Sequence, residues 1–177
     1  MASNSSDKHL NKLYVEKIKK GTVIDHIKSG FGVYVLKILG LDGKDGSLIT
    51  MGINVKSNSA LTGKKDIVKV ENIYLDEKQI NQIALISPDC KVSFIKDFQV
   101  AKKIVVKVPQ IIHGLIKCPN DKCITNQERE PVASEFNLIA PDPLKISCIY
   151  CERILSRDDI FELWEDILEL WDESIGK

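Results

Sequence analysis

The sequence predicts an α+β protein in two parts: a β-α-β-β-α-β unit, then a small β-rich domain held by four cysteines. Three observations carry this prediction. Alternating β-branched runs recur through the first part of the chain. Asp76 with Gln79 forms a capping-box pattern before an apolar stripe. Cys118, Cys123, Cys148 and Cys151 stand as two close pairs in a stretch poor in apolar residues.

Taken in order, residues 1–12 read as a polar, mobile leader. Leu13 to Ile18 is short and alternating, a strand candidate, and Gly21 turns the chain into Thr22–Ile27. Gly32–Leu39 is apolar on most sides, and its place between a strand and a Gly/Asp loop favours helix. Leu48–Val55 and Asp66–Tyr74 read as strands. In the second, Ile67, Lys69 and Glu71 share one phase and Val68, Val70 and Asn72 the other. A helix follows Asp76, carrying Ile80, Ile83, Leu85 and Ile86, with Pro88 just beyond it. A last strand runs from Val92 to Phe98. This order is that of a ferredoxin-like sandwich. Residues 100–112 read as a hinge, a basic β-prone run ending near Pro109.

Composition narrows the classes. Of 177 residues, 44% are hydrophobic, which fits a folded domain and argues against wholesale disorder. No apolar run is long enough to cross a bilayer, and the polar start lacks a signal-peptide core, so the expected location is cytoplasmic. The zero net charge hides an asymmetry: residues 1–110 carry a net of +7 and residues 111–177 a net of −7. A basic first part suits phosphorylated ligands, and an acidic second part argues against nucleic acid there. No Gly-x-x-x-x-Gly-Lys-Ser/Thr loop is present, which speaks against P-loop hydrolysis.

The four cysteines are the sharpest local signal. Two chelating turns can place four thiolates around one ion, and four sulfurs with no open position describe a structural zinc site. Two disulfides or four unpaired thiols are the alternatives, disfavoured for paired knuckles in a cytosolic chain. Zinc binding would supply folding free energy to a domain with so small a core. Cys90, after Pro88-Asp89, reads as a plain, partly buried thiol, and His113 as structural.

A longer pattern surrounds these signals. Leu13-Tyr-Val-Glu-Lys-Ile-Lys-Lys-Gly-Thr-Val-Ile-Asp-His-Ile27, Gly63-Lys-Lys-Asp-Ile-Val-Lys-Val-Glu-Asn72, Lys103 and the Cys118–Cys151 spacing together resemble the regulatory chain of aspartate carbamoyltransferase. The resemblance covers about residues 12–153. It implies a chain without an active site of its own, acting in feedback control of pyrimidine biosynthesis. Regulatory homodimers would bridge catalytic trimers. The first domain, residues 13–107, would bind the effectors CTP and ATP, with UTP as a further candidate. The zinc-ribbon or rubredoxin-like domain, residues 108–156, would contact the catalytic chain.

The same resemblance implies site roles. Val15, Glu16, Lys17 and Ile18 would line the base pocket, with Val23 packed nearby. Asp25 would accept from a ribose hydroxyl, and His26 would lie near the phosphates. Lys69 would contact ribose and base, and Lys103 the triphosphate. Ile95, Phe98 and Val100 would complete the wall; the family often carries Tyr where this chain has Phe98. The chemistry agrees with these roles, since compact lysine charges suit a triphosphate and a carboxylate suits a diol. Taken singly, Asp25-His26 would read as a surface pair, and Lys69 and Lys103 as solvated lysines. A zinc-ribbon nucleic-acid binder and an enzyme acting on nucleotides are the competing classes.

Past Cys151 the chain departs from that pattern. Ser156 with Asp159 resembles a capping box, and Ile160, Trp164, Ile167 or Leu168, Trp171 and Ile175 recur at helical spacing. Residues 157–177 therefore read as an acidic amphipathic helix. It would pack on the chain's own second domain or dock on a neighbouring subunit.

Overall fold

The computed structural model describes residues 16–58, 60, 62–129 and 132–164. The leader, Leu13 to Val15, and residues 165–177 of the expected C-terminal helix, Trp171 among them, lie outside the described residues. The first domain contains β1 (Gly21–Ile27), α1 (Gly32–Ile38), β2 (Ile49–Lys56), β3 (Lys64–Glu71), α2 (Glu77–Ile86), β4 (Lys91–Lys96) and β5 (Gln99–Val105). The strands form one antiparallel sheet in the order β2-β3-β1-β4-β5.

Period-two alternation decides which face is covered. Ile24, Ile27, Val68, Val70 and Val92 are buried, together with Val35, Leu39, Ile83, Leu85 and Ile86 from the helices. The helices thus close one face of the sheet and leave the other open. Both helix starts are fixed by carboxylates. Asp76 accepts from the Gln79 amide at 2.7 Å, and its own N–H donates to the Gln79 side chain at 3.0 Å, completing the expected capping box. Asp66, fully buried, accepts from the N–H groups of Gly30, Gly32 and Asn54 at 2.8–2.9 Å, tying α1 to the bulged end of β2. Gly21 enters β1 at φ +129°, where a Cβ would stand 2.1 Å from the Val70 carbonyl oxygen, so no larger residue fits.

Three sequence expectations are corrected. Glu16–Ile18 are not in a strand. Instead their segment is held at the sheet's end by backbone bonds from Phe98 N–H to Lys19 O and from Asn72 N–H to Lys20 O. The strand expected to run to Phe98 ends at Lys96, and Asp97 and Phe98, both at positive φ, turn the chain into a further strand, β5. Most of the expected hinge is therefore sheet, and only residues 106–110 connect the domains.

The second domain contains β6 (Ile111–His113), β7 (Glu135–Pro141), β8 (Leu144–Cys148) and β9 (Ile154–Ser156), in that order in one antiparallel sheet. Phe136, Leu144, Ile146 and Leu155 fill its small core. His113 is not alone: it faces Glu135 across the β6–β7 register, 3.3 Å away. Cys90 is fully buried, and burial pushes its thiol up to about 12.

Residues 157–164 form α3, opened by the Ser156–Asp159 pair, in which the Ser156 N–H donates to the Asp159 carboxylate at 2.6 Å. Ile160 and Trp164 are buried. Phe161 reaches back to the first domain, its ring 4.9 Å from Tyr34 on α1 and 5.4 Å from Phe31 just before that helix. Buried residues of both domains consequently form one continuous core.

Candidate functional site

Two sites emerge, one on the open sheet face and one in the second domain. On the open face, antiparallel register sets side chains beside one another. Val23 pairs with Lys69 on β3 and with Ser93 on β4, and Ser93 pairs with Lys103 on β5. Lys69, Val23, Ser93 and Lys103 therefore form one row across four strands. Three inter-strand spacings make that row about 14 Å long, enough for an extended ligand. A flanking row sets Gly21 beside Ile95 and Ile95 beside Val100. On the other side, Asp25 pairs with Lys91.

Lys69 is largely buried, and its Nζ donates to the Glu16 carbonyl at 2.5 Å, so it fastens the incoming segment across the face. Burial lowers its pKa, and Asp25 partly offsets that. Ile18 is buried, and Lys17 is exposed. Tyr74 donates its hydroxyl proton to the Ile95 carbonyl at 2.9 Å. Phe98 sits on the β4–β5 turn, 58% exposed, and Val100 is equally open.

Beyond the row, the register of β1 shifts between Ile24 and Ile27, and His26 takes φ +61°. This bulge re-aims Asp25 and His26 together at the strand's end. Asp25 accepts from the His26 backbone N–H at 2.8 Å and lies 3.0 Å from its Nδ1. Lys65 stands 2.7 and 3.0 Å from the two Asp25 oxygens. Burial would raise the Asp25 carboxyl, but the Lys65 ammonium and the His26 N–H outweigh it and hold it low. The His26 ring is pushed down chiefly by burial, with the Lys65 and Lys91 charges adding to it against Asp25.

Lys65, Lys91 and Ser93 were not among the sequence candidates. Lys65 carried a readable signal: it lies in the Gly63-Lys-Lys-Asp66 motif, on the same strand phase as Lys69. Lys91 and Ser93 are named by pairing register, which single-strand alternation does not contain.

In the second domain the four sulfurs of Cys118, Cys123, Cys148 and Cys151 all lie within 4.8 Å of one another. Cys118 and Cys151 are 3.6 Å apart, and Cys123 and Cys148 3.9 Å. Metal–sulfur bonds of about 2.3 Å give a tetrahedron with edges of about 3.8 Å, so the spacing fits one ion. It is far beyond the ~2.05 Å of a disulfide. Each knuckle is shaped by its own turn. The Cys123 N–H donates to the Asn120 carbonyl at 2.8 Å, and the Glu152 N–H to the Cys148 carbonyl at 2.9 Å. Asn126 ties the first knuckle by donating to the Cys118 and Asn120 carbonyls, and Thr125 donates to the Cys123 sulfur at 3.3 Å. Burial raises the Cys118 and Cys148 thiols. Burial would raise Cys151 also, but the Arg153 N–H, the Asn120 side chain and neighbouring thiols hold it at about 6. Four thiolates need a cation between them, and the second domain is a metal-binding domain.

Comparisons with known proteins divide the chain at the same place. A family profile described as the aspartate carbamoyltransferase regulatory chain, allosteric domain, matches residues 13–107. The profile of that chain's metal binding domain matches residues 110–161. The chain is similar to the aspartate carbamoyltransferase regulatory chain of Thermofilum pendens, 47% identical over 150 residues that span 85% of this chain and 93% of the relative. Its likeness to the chain of the same name from Staphylothermus marinus is 41% over 160 residues, 90% of this chain and 96% of the relative. For Thermoplasma acidophilum the figures are 42% over 149 residues, 84% and 97%.

Proposed function

Because this chain belongs to the family of aspartate carbamoyltransferase regulatory chains, we propose that its open sheet face is the effector site for nucleoside triphosphates. It is a non-catalytic regulatory subunit with an allosteric and a metal-binding domain, and its partner is the catalytic chain. The effectors of this reading are CTP and ATP, with UTP as a third candidate. The four-cysteine ion is zinc, since four thiolates in a closed tetrahedral set are its ordinary structural ligands. The second domain, so stapled, is the surface that meets the catalytic chain, and two regulatory chains pair as a homodimer in the assembly.

The observation that carries the effector reading is the cross-strand row from Lys69 to Lys103, with Asp25 and His26 at its flank. Lysine ammonium groups supply point charges for phosphates. The Glu16 to Ile18 backbone, fastened by Lys69, offers fixed groups that can tell an amino from a keto base edge. Asp25 has an acceptor suited to a ribose hydroxyl once Lys65 shares its charge with the phosphates. Binding at this site needs no turnover, because allosteric control is a coupling free energy between sites.

The test mixes the zinc-loaded chain with catalytic trimers of aspartate carbamoyltransferase, follows size-exclusion chromatography and assays activity with and without CTP and ATP. The expected result is a larger complex whose activity responds to nucleotide and which falls apart on zinc removal. A complex indifferent to both nucleotides would defeat the effector reading, and absence of any complex would defeat the partner reading.

A further inference from the structure

Where the two domains meet lies a groove of about 580 Å³ that adjoins the effector site at His26 and Lys65. Its walls come from the end of β1, the β2–β3 loop, the end of α2 and the connecting segment on one side. The β7–β8 hairpin and the first turn of α3 form the other. Five cations line it: Lys28, Lys64, Lys65 and Lys107 from the first domain and Arg157 from α3. Only Asp89 and Asp142 oppose them among the lining residues, leaving a net of +3.

The partners of these groups differ. Lys107 is paired with Asp89, and Lys65 with Asp25. Lys28 lies over the Phe31 ring at 5.5 Å, and its backbone N–H is fixed by Ser87 at 2.9 Å. Arg157 stands apart: its Nε and Nη2 are buried and have no acceptor among the described residues. A guanidinium stays charged at every working pH, and leaving its buried donors unpaired is costly. Adjacent Nε and Nη donors form the fork that receives two oxygens of one oxyanion. The groove's volume is that of a small-molecule site. Its charge excess is better matched by several phosphoryl groups than by one carboxylate.

We propose that this interdomain groove binds a small oligophosphate, with Arg157 as its bidentate ligand and Lys28 and Lys64 as flanking cations. Because Arg157 belongs to the second domain and the lysines to the first, an occupant ties the domains together. The groove meets the effector site at His26 and Lys65 but has its own ligand in Arg157, and Lys69, Ser93 and Lys103 of the sheet-face row do not line it.

The test is calorimetric titration of sodium tripolyphosphate into the zinc-loaded full chain at fixed ionic strength, with CTP titrated in parallel. Arg157→Gln is expected to weaken tripolyphosphate at least tenfold while changing CTP less than twofold. Lys28→Gln should weaken tripolyphosphate severalfold. Lys103→Gln should weaken CTP and leave tripolyphosphate within twofold. Arg157→Lys, which keeps the charge and loses the fork, should fall between wild type and Arg157→Gln and guards against a folding defect. Unchanged tripolyphosphate affinity in Arg157→Gln, loss through Lys103→Gln instead, or no binding to the wild-type chain would overturn the proposal.

Discussion

In the second domain four sulfurs converge from two turns, each closed by hydrogen bonds within a few residues. On the first domain's open face the converging side chains come from four strands whose positions span Val23 to Lys103. The cysteine centre is local and closed, and three of its four ligands are buried. The sheet face is assembled at long range and stays open, with exposed Val100 and Phe98 at its edge. The difference suits two tasks. A structural ion has to be held permanently, whereas an effector has to enter and leave.

Removing the metal should separate the two regions most sharply. Structural zinc contributes on the order of 10 kcal/mol or more to the folding of small modules at neutral pH. After chelation, hydrogen exchange should show β7 and β8 losing protection while β1 and β3 keep theirs. Equal loss in both sheets would mean that the shared core, and not the ion, holds the second domain.

The aromatic contact between the domains gives the next largest effect. Phe161→Ala removes a half-buried ring stacked on Tyr34 and tilted against Phe31, for a cost of about 2 kcal/mol. Denaturant unfolding should change from one transition to two as the domains uncouple. A single, merely shifted transition would show that residues 106–110 and the rest of the interface suffice.

On the sheet face, Lys103→Gln should weaken CTP binding about tenfold, or ~1.4 kcal/mol. Ser93→Ala, in the same row, should lose less, about half that. If both are silent, the row is not where phosphates bind.

The smallest effect is in pH. His26 is held below its ordinary 6.5, so it is neutral at pH 7 and takes up a proton only in more acid solution. A depressed histidine favours the fold above its unfolded value and loses that contribution as pH falls through its folded value. Acid should thus weaken the free chain slightly. A bound triphosphate has the opposite effect on the ring, because its charge favours the imidazolium. CTP affinity should therefore rise two- to threefold between pH 7.5 and 5.5 and flatten in His26→Asn, a side chain that tolerates the positive φ. Calorimetry in buffers of different ionisation enthalpy would register the proton uptake.

What could be read from the chain follows the same contrast. The cysteine knuckles were legible because chelation is written in spacing a few residues long. The sandwich order was legible where burial alternates, as in Val68 and Val70, and where Asp76 and Gln79 mark a cap. Strand β5 was not, because Gln99–Val105 is an edge strand, exposed at nearly every position, and carries no apolar alternation. Its turn at Asp97 and Phe98 has none of the Gly or Asn that announces a hairpin. Lys69 and Lys103 were found through the family pattern. Their alignment through Val23 and Ser93 is a matter of register, which only the folded sheet fixes. Nothing in the repeat of Ile160 and Trp164 pointed to Phe161 as the residue that reaches the first domain.

The central claim is that the open face binds nucleoside triphosphates through the row from Lys69 to Lys103. Calorimetric titration of CTP into the zinc-loaded full chain, wild type beside Lys103→Gln, tests it most directly. Saturable binding that weakens about tenfold in the variant, with the fold intact by circular dichroism, is the predicted result. Equal affinity in both proteins, or no binding to the wild type, would contradict it.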